Sequence, residues 1–143
     1  MEHPKEIGDR SMLAVMLGLA SVGRSILLFG ENTRYDLAVD DGERLSRIQC
    51  KTGRLRRGAV WFKTASTYSH HSRPKALSRS YHGEIDYFGV YCPDNGAVYL
   101  IPFDAAPNHS SATLRVDPSL NGQASGIRYA ADYEIARIPV TKT

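Results

Sequence analysis

The segment RYDLAVDDGERLSRIQCK, Arg34 to Lys51, has the build of a β-hairpin. Two short apolar runs flank Asp41-Gly42, a dipeptide that favours tight hairpin turns. A two-residue turn there sets Asp40 against Glu43 and Asp36 against Arg47. Directly opposed residues share a face, as do residues two apart on one strand. Asp36, Arg47, Gln49 and Lys51 then project together, while Leu37, Val39, Ile48 and Cys50 turn the other way. A slip of one residue would scatter the polar set and expose Leu37 and Val39. Turn chemistry and apolar pattern thus agree on one hairpin that holds a carboxylate, an amide and an amine on the same side.

Before the hairpin, Pro4 fits a first helical position and Gly23 a stop. Leu13, Met16, Leu17 and Ala20 recur at the spacing of a helix face, so a helix is predicted from about Pro4 to Val22. Glu6 lies near its start, where a carboxylate favours the helix dipole. SILLF, Ser25 to Phe29, reads as a buried strand. After the hairpin, Gly53 to Gly58 reads as a basic loop and AVWFKT as a strand, with Trp61 in the core. Ala65 to Gly83, rich in Ser, His, Arg and Lys, reads as a mobile loop. IDYFGVYC and AVYLIPF flank PDNG and form a second hairpin. SATLRV adds a strand, and IRYAADYEI reads as a short C-terminal helix. One helix, a run of strands and a helical end predict a single α/β domain over residues 1–143 with a mixed central sheet.

At 143 residues the chain suits one domain, and 42% hydrophobic with 23% charged residues is a globular balance. The longest apolar stretch, Met12 to Val22, is too short to span a bilayer. Met1 is followed by the charged EHPKEIGDR rather than a signal peptide. The expectation is a cytoplasmic protein with no membrane partner. Cys50 and Cys92 lack metal-ligand spacing and read as reduced thiols. The net charge of +3 is modest, but its distribution is not. Arg44, Arg47, Lys51, Arg54, Arg56, Arg57, Lys63, Arg73, Lys75 and Arg79 fall between Arg44 and His82 with no Asp or Glu among them. A one-signed segment of this length suits a polyanion, nucleic acid above all.

The hairpin cargo has a matching chemistry. Asp36 is a hard oxygen ligand and Gln49 offers a neutral carbonyl oxygen, a pair suited to Mg²⁺, which takes few protein ligands. Lys51 could orient a nucleophile or stabilise charge growing on a phosphate. The same three residues also fit an ordinary half-exposed strand face, and spacing alone leaves both readings open. Other chemistries find no support. GQASG places Ser125 one position too late for a nucleophile elbow. His70 and His71 sit in a basic, Ser-rich stretch and read as phosphate or solvent contacts. Trp61, Tyr68 and Tyr81 are candidates for stacking on bases, although Trp61, on an apolar strand, fits the core better.

A glutamate on the first helix, an aspartate at a strand start, a hairpin, then acid-x-Lys is the order of the PD-(D/E)XK nuclease superfamily, and this chain resembles it. The match reads Glu6, RYD ending at Asp36 and QCK ending at Lys51. The stretches KEIGDRS, GENTRYDL, RIQCKTGRL, DYFGVYCPDNGAVYLIP and NGQASGIRYAADY resemble, more narrowly, its group I intron-associated homing endonuclease branch. The resemblance implies a restriction-endonuclease-like core with an N-terminal helix and a C-terminal helical segment. It implies a DNA endonuclease using Mg²⁺ or Mn²⁺, with Asp36 and Gln49 as metal ligands, Lys51 as catalytic lysine and Glu6 as a further carboxylate. Tyr35-Asp36 replaces the usual Pro-Asp, and Gln49 replaces an acid, which lowers the negative charge available to a metal. Glu31 is near in sequence but has no assigned role. Arg47, Arg54, Arg56, Arg57, Lys63, Arg73, Lys75 and Arg79 are the expected contacts to double-stranded DNA. A junction-resolvase-like nuclease and an inactive nucleic-acid-binding module are the alternatives. Cutting both strands suits a homo-oligomer, dimer or tetramer, with the Tyr87 to Tyr99 hairpin and IRYAADYEI as expected contacts.

Overall fold

A computed structural model describes residues 3–28, 34–40, 42–68, 77–106, 110–117 and 127–138. Helix α1, Pro4–Ser21, starts where expected, with proline in its first turn and His3 Nδ1 accepting the Lys5 N–H at 3.1 Å. It stops at Gly23, whose φ of 82° an L-side chain rarely adopts. Its buried face is not the expected one. Ser11, Ala14, Val15, Gly18 and Leu19 face the sheet, whereas Leu13 and Leu17 are 60% and 57% exposed. The small residues explain the rotation. A Cβ on Gly18 would come within 3.1 Å of Val98, so the helix axis lies too close to the sheet for larger side chains.

Strands are numbered in chain order: β1 Ser25–Leu28, β2 Leu37–Asp40, β3 Leu45–Thr52, β4 Arg54–Arg56, β5 Ala59–Lys63, β6 Ala65–Tyr68, β7 Leu77–Ser80, β8 Tyr87–Cys92, β9 Ala97–Pro102, β10 Ser111–Arg115 and β11 Glu134–Arg137. The main sheet runs β1-β2-β3-β8-β9-β11, and only β3 and β8 are parallel. Parallel neighbours need a long crossover. Here it is built from strands: β4 and β5 join β10 in a three-stranded sheet, and β6 pairs with β7. That crossover carries most of the basic interval. Two cores result. α1 packs Val15 and Leu19 onto Leu37, Val39, Ile48, Tyr91 and Val98 on one face of the main sheet. On the other face Phe88, Val90, Tyr99 and Ile101 pack against Val60, Phe62 and Leu114 of the small sheet.

Gly89 marks the tightest contact of α1 with the sheet. A Cβ there would lie 2.6 Å from Val15 Cγ1 and 3.1 Å from Ile48 Cγ2. Gly89→Ala is therefore expected to destabilise the chain by about 1–3 kcal/mol through overpacking. A denaturant melt checks this; an unchanged midpoint would contradict the close packing.

Five expectations are corrected. The hairpin loop is longer than two residues: Asp40 pairs with Leu45 and Leu37 with Ile48, two positions from the expected register. Asp40 Oδ1 accepts the Gly42 N–H at 2.8 Å, and this side-chain turn opens the loop. Because the shift is two residues, every side chain keeps its face. The C-terminal segment is not a helix but a 3-10 turn, Ala130–Asp132, followed by edge strand β11. The free edge of β9 needs a partner, and that need overrides local helix preference. The basic loop contains strand β4, and the presumed mobile loop contains paired strands β6 and β7. Lastly, Tyr91 and Tyr99, expected at an oligomer contact, are core residues only 1% exposed. Among the described residues no helix is long and apolar enough to cross a membrane.

Candidate active site

The site lies where β2 begins and β3 meets β8. Asp36 sits one residue before β2. Its N–H donates to the Ile48 carbonyl at 2.9 Å, and its Oδ2 accepts the Cys50 N–H at 2.8 Å. The carboxylate is thereby clipped to the strand that carries Gln49 and Lys51. Burial pushes Asp36 above its ordinary value of 3.8, although the Cys50 N–H and the Lys51 charge pull the other way. A buried carboxyl with one partnered oxygen is short of positive charge. The neighbouring Cys50 thiol is raised strongly, by burial and then by Asp36, so it stays protonated and unreactive. Neither cysteine is in a disulfide.

Lys51 points away from α1, towards the small sheet. Its Nζ donates to Tyr81 Oη at 2.9 Å and lies 4.8 Å from that ring's centroid. The Arg34 guanidinium packs on the same ring at 4.2 Å and reaches Glu84 at 3.4 Å. Tyr81 is 3% exposed, held edge-on against Phe88. It therefore does not stack on bases, as its sequence context suggested. It is instead a fixed seat for the Lys51 ammonium, a role with no local sequence signal because thirty residues separate the pair. Ser11 of α1 and Thr52 share a hydroxyl hydrogen bond of 2.5 Å, which pins the end of β3 to the helix.

The other expected residues distribute unevenly. Glu6 is exposed in the first turn of α1 and makes no contact that joins it to Asp36 or Lys51. Pro4 comes closer: it lines a cleft of about 640 Å³ with Lys51, Thr52, Arg54, Trp61 and Lys63. Arg47 is engaged inside the molecule. Its backbone N–H donates to Asp86 Oδ2 at 2.7 Å, its Nε to the same oxygen at 3.3 Å, and its guanidinium to the Gly83 carbonyl at 3.1 Å. Burial alone would raise Asp86, but Arg47 outweighs it and holds the carboxyl below 3.8. Arg54 lies 3.9 Å from Asp94. Arg56, Arg57 and Lys63 are exposed and make no ion pair among the described residues. Arg79 pairs with Ser66 across β6 and β7. Glu31, His70, His71, Arg73 and Lys75 lie outside the described residues.

The donor set fits a weakly held hard cation. Asp36 Oδ1 and the Gln49 amide have no hydrogen-bond partner among the described residues, which leaves two oxygen donors uncommitted. No group of three or more His, Cys, Asp or Glu side chains able to hold a metal occurs among the described residues.

A helix is thus laid on a mixed sheet, and Asp36, Gln49 and Lys51 gather where a hairpin meets the parallel strand pair. The chain belongs to the PD-(D/E)XK endonuclease family, whose sequence model matches residues 2–136. Among solved structures it resembles a bacterial homing endonuclease, I-Ssp6803I. The TM-score is 0.72 at 20% identity, over 93% of this chain and 89% of that one. No curated protein matches.

Proposed function

We propose that this chain is a Mg²⁺- or Mn²⁺-dependent DNA endonuclease that cuts a specific duplex site as a homing-type enzyme associated with a group I intron. The observation that supports this best is the Asp36 carboxylate clipped to β3 beside Gln49 and Lys51, the last of which lines a basic cleft. Asp36 and Gln49 would hold the cation through their uncommitted oxygens, with water completing the shell. When bound, the cation supplies charge to the phosphate and a more acidic water. Lys51 sets its ammonium against the negative charge that develops on the phosphate. Tyr81 fixes where that ammonium points. Glu6, on the helix whose Pro4 lines the cleft, is the further carboxylate. Arg54, Arg56, Arg57 and Lys63 grip the duplex backbone, extended by Arg73, Lys75 and Arg79, while Arg47 contributes least because Asp86 neutralises it. A dimer or tetramer supplies one site per strand, and the cytoplasm is the setting.

Tyr81→Phe keeps the ring but removes the hydroxyl that holds Lys51. Turnover is expected to fall about tenfold, the scale of one hydrogen bond to a charged group, with KM unchanged. Steady-state kinetics check it; a KM effect alone would assign Tyr81 to binding.

The neutral Gln49 favours a second reading, an inactive nucleic-acid-binding module. Sequencing the products formed from genomic DNA with Mg²⁺ separates the two. Recurrent ends at one sequence support the enzyme; intact DNA that is nevertheless bound supports the module.

A further inference from the structure

The small sheet has an outer face whose basic side chains the reading above gives to the duplex backbone, and whose aromatic side chain, Trp61, has no task there. Strand alternation sends Leu55, Val60, Phe62, Ala112 and Leu114 inward to the core. Arg54, Arg56, Trp61, Lys63, Thr113 and Arg115 therefore share the opposite face. Arg54, Trp61 and Thr113 form one cross-strand row. None of the outward strand residues is acidic; carboxylates flank the face at Asp94 beside Arg54 and at Asp117 beside the Gly58 turn. Trp61 is 40% exposed at the centre of this cationic face. It was expected in the core, and strand alternation instead turns its ring outward among cations, where it is open to a partner.

Trp61 also stands between two concavities. One is the 640 Å³ cleft that contains Lys51. The other, about 320 Å³, is lined by Arg56, Arg57, Trp61, Thr113 and Arg128 among others. The face is thus continuous with the candidate active site.

A second feature lies at the tip of the same sheet. Arg57-Gly58 is the two-residue turn joining β4 to β5, with φ of 50° and 75°. Such turns favour Asn-Gly, and a left-handed conformation costs a side chain like arginine about 1–2 kcal/mol. The turn is nonetheless firmly held. The Gly58 carbonyl accepts N–H groups from Val116 at 2.8 Å and Asp117 at 3.0 Å, and the Arg57 carbonyl accepts Arg115 at 3.2 Å. A rigid tip that keeps a strained, exposed arginine is built for presentation.

We propose that the outer face of β4, β5 and β10 is a duplex-reading surface, on which Trp61 contacts base edges in a groove and Arg57 at the tip clamps a phosphate. Sheet faces are known to enter DNA grooves, and an apolar side chain there contacts the thymine methyl. The charge favours DNA over a second copy of the chain, because a two-fold contact through this face would set arginine against arginine. The inference rests on the nuclease reading above and adds to it the residue that reads the duplex.

Trp61 is the only tryptophan, so its fluorescence reports on this face alone. The full chain is titrated in EDTA with sheared genomic duplex, anisotropy of a labelled duplex reports binding independently, and cleavage of the same duplex is followed separately in Mg²⁺. Emission is expected to change and saturate with binding. Trp61→Ala is expected to weaken binding about tenfold, and Trp61→Phe less. Arg57→Asn is expected to raise the melting temperature yet weaken binding, and to reduce the slope of log K against log salt by about one. Binding and cleavage with unchanged emission and full Trp61→Ala affinity would overturn this inference alone. Loss of self-association in Trp61→Ala, with DNA affinity intact, would overturn it in favour of a protein interface. Neither binding nor cleavage would remove the nuclease reading and this inference together.

Discussion

Lys51→Ala is expected to lower DNA cleavage by about a hundred- to a thousandfold, the range for removing one preorganised donor that meets developing charge. Duplex affinity should change little, because Lys51 is one of ten basic side chains between Arg44 and His82. The fold should survive: Lys51 is only part-buried, and Tyr81 keeps its packing on Phe88 and Arg34. Single-turnover cleavage beside anisotropy on the same duplex separates the two effects. Wild-type cleavage by the variant would remove Lys51 from the chemistry. Equal losses of cleavage and affinity would make it a binding residue.

Asp36→Asn is expected to have a comparable effect on metal-dependent activity and an opposite one on stability. Asn can still accept the Cys50 N–H, so the local geometry should hold. What disappears is the charge, and with it the stronger of the two proposed oxygen ligands. The sign of the stability change follows from the raised pKa of Asp36. A carboxyl that holds its proton more tightly folded than unfolded contributes stability below 3.8 and loses it as pH rises through the folded value. At neutral pH without metal the ionised Asp36 opposes folding, so Asp36→Asn should melt higher than the wild type. In the wild type, protons should compete with metal at Asp36. Activity should then fall on acidification as Asp36 takes up its proton. Thermal melts in EDTA and a pH series of cleavage rates test both parts. A variant that melts lower, or keeps its Mg²⁺ response, would contradict the assignment.

Much of this site was legible in the sequence because strand periodicity is robust. Asp36, Gln49 and Lys51 were placed on one side by alternation, and a loop longer by two residues left that placement intact. The turn itself was misread because Asp40 bonds Gly42 and opens the loop, a side-chain choice that Asp-Gly statistics do not encode. Helix α1 was legible in extent but not in facing. Leu13 and Leu17 follow helical spacing as well as Ser11, Ala14, Val15 and Gly18 do, and only the closeness of Val98 decides between them. Trp61 was misassigned because an apolar strand was read as core, although alternation within AVWFKT sends Val60 and Phe62 inward and Trp61 out. Tyr81 could not have been found. Its partnership with Lys51 depends on the β3 to β8 crossover, which brings residues together that no local pattern relates.

The most direct test of the central claim is relaxation of supercoiled plasmid DNA by the purified full chain, followed in EDTA and then across increasing Mg²⁺ or Mn²⁺. Nicked and linear products that appear only with the cation, and that Lys51→Ala fails to make, are the expected result. Supercoiled plasmid that is bound but stays intact at every cation concentration would contradict it.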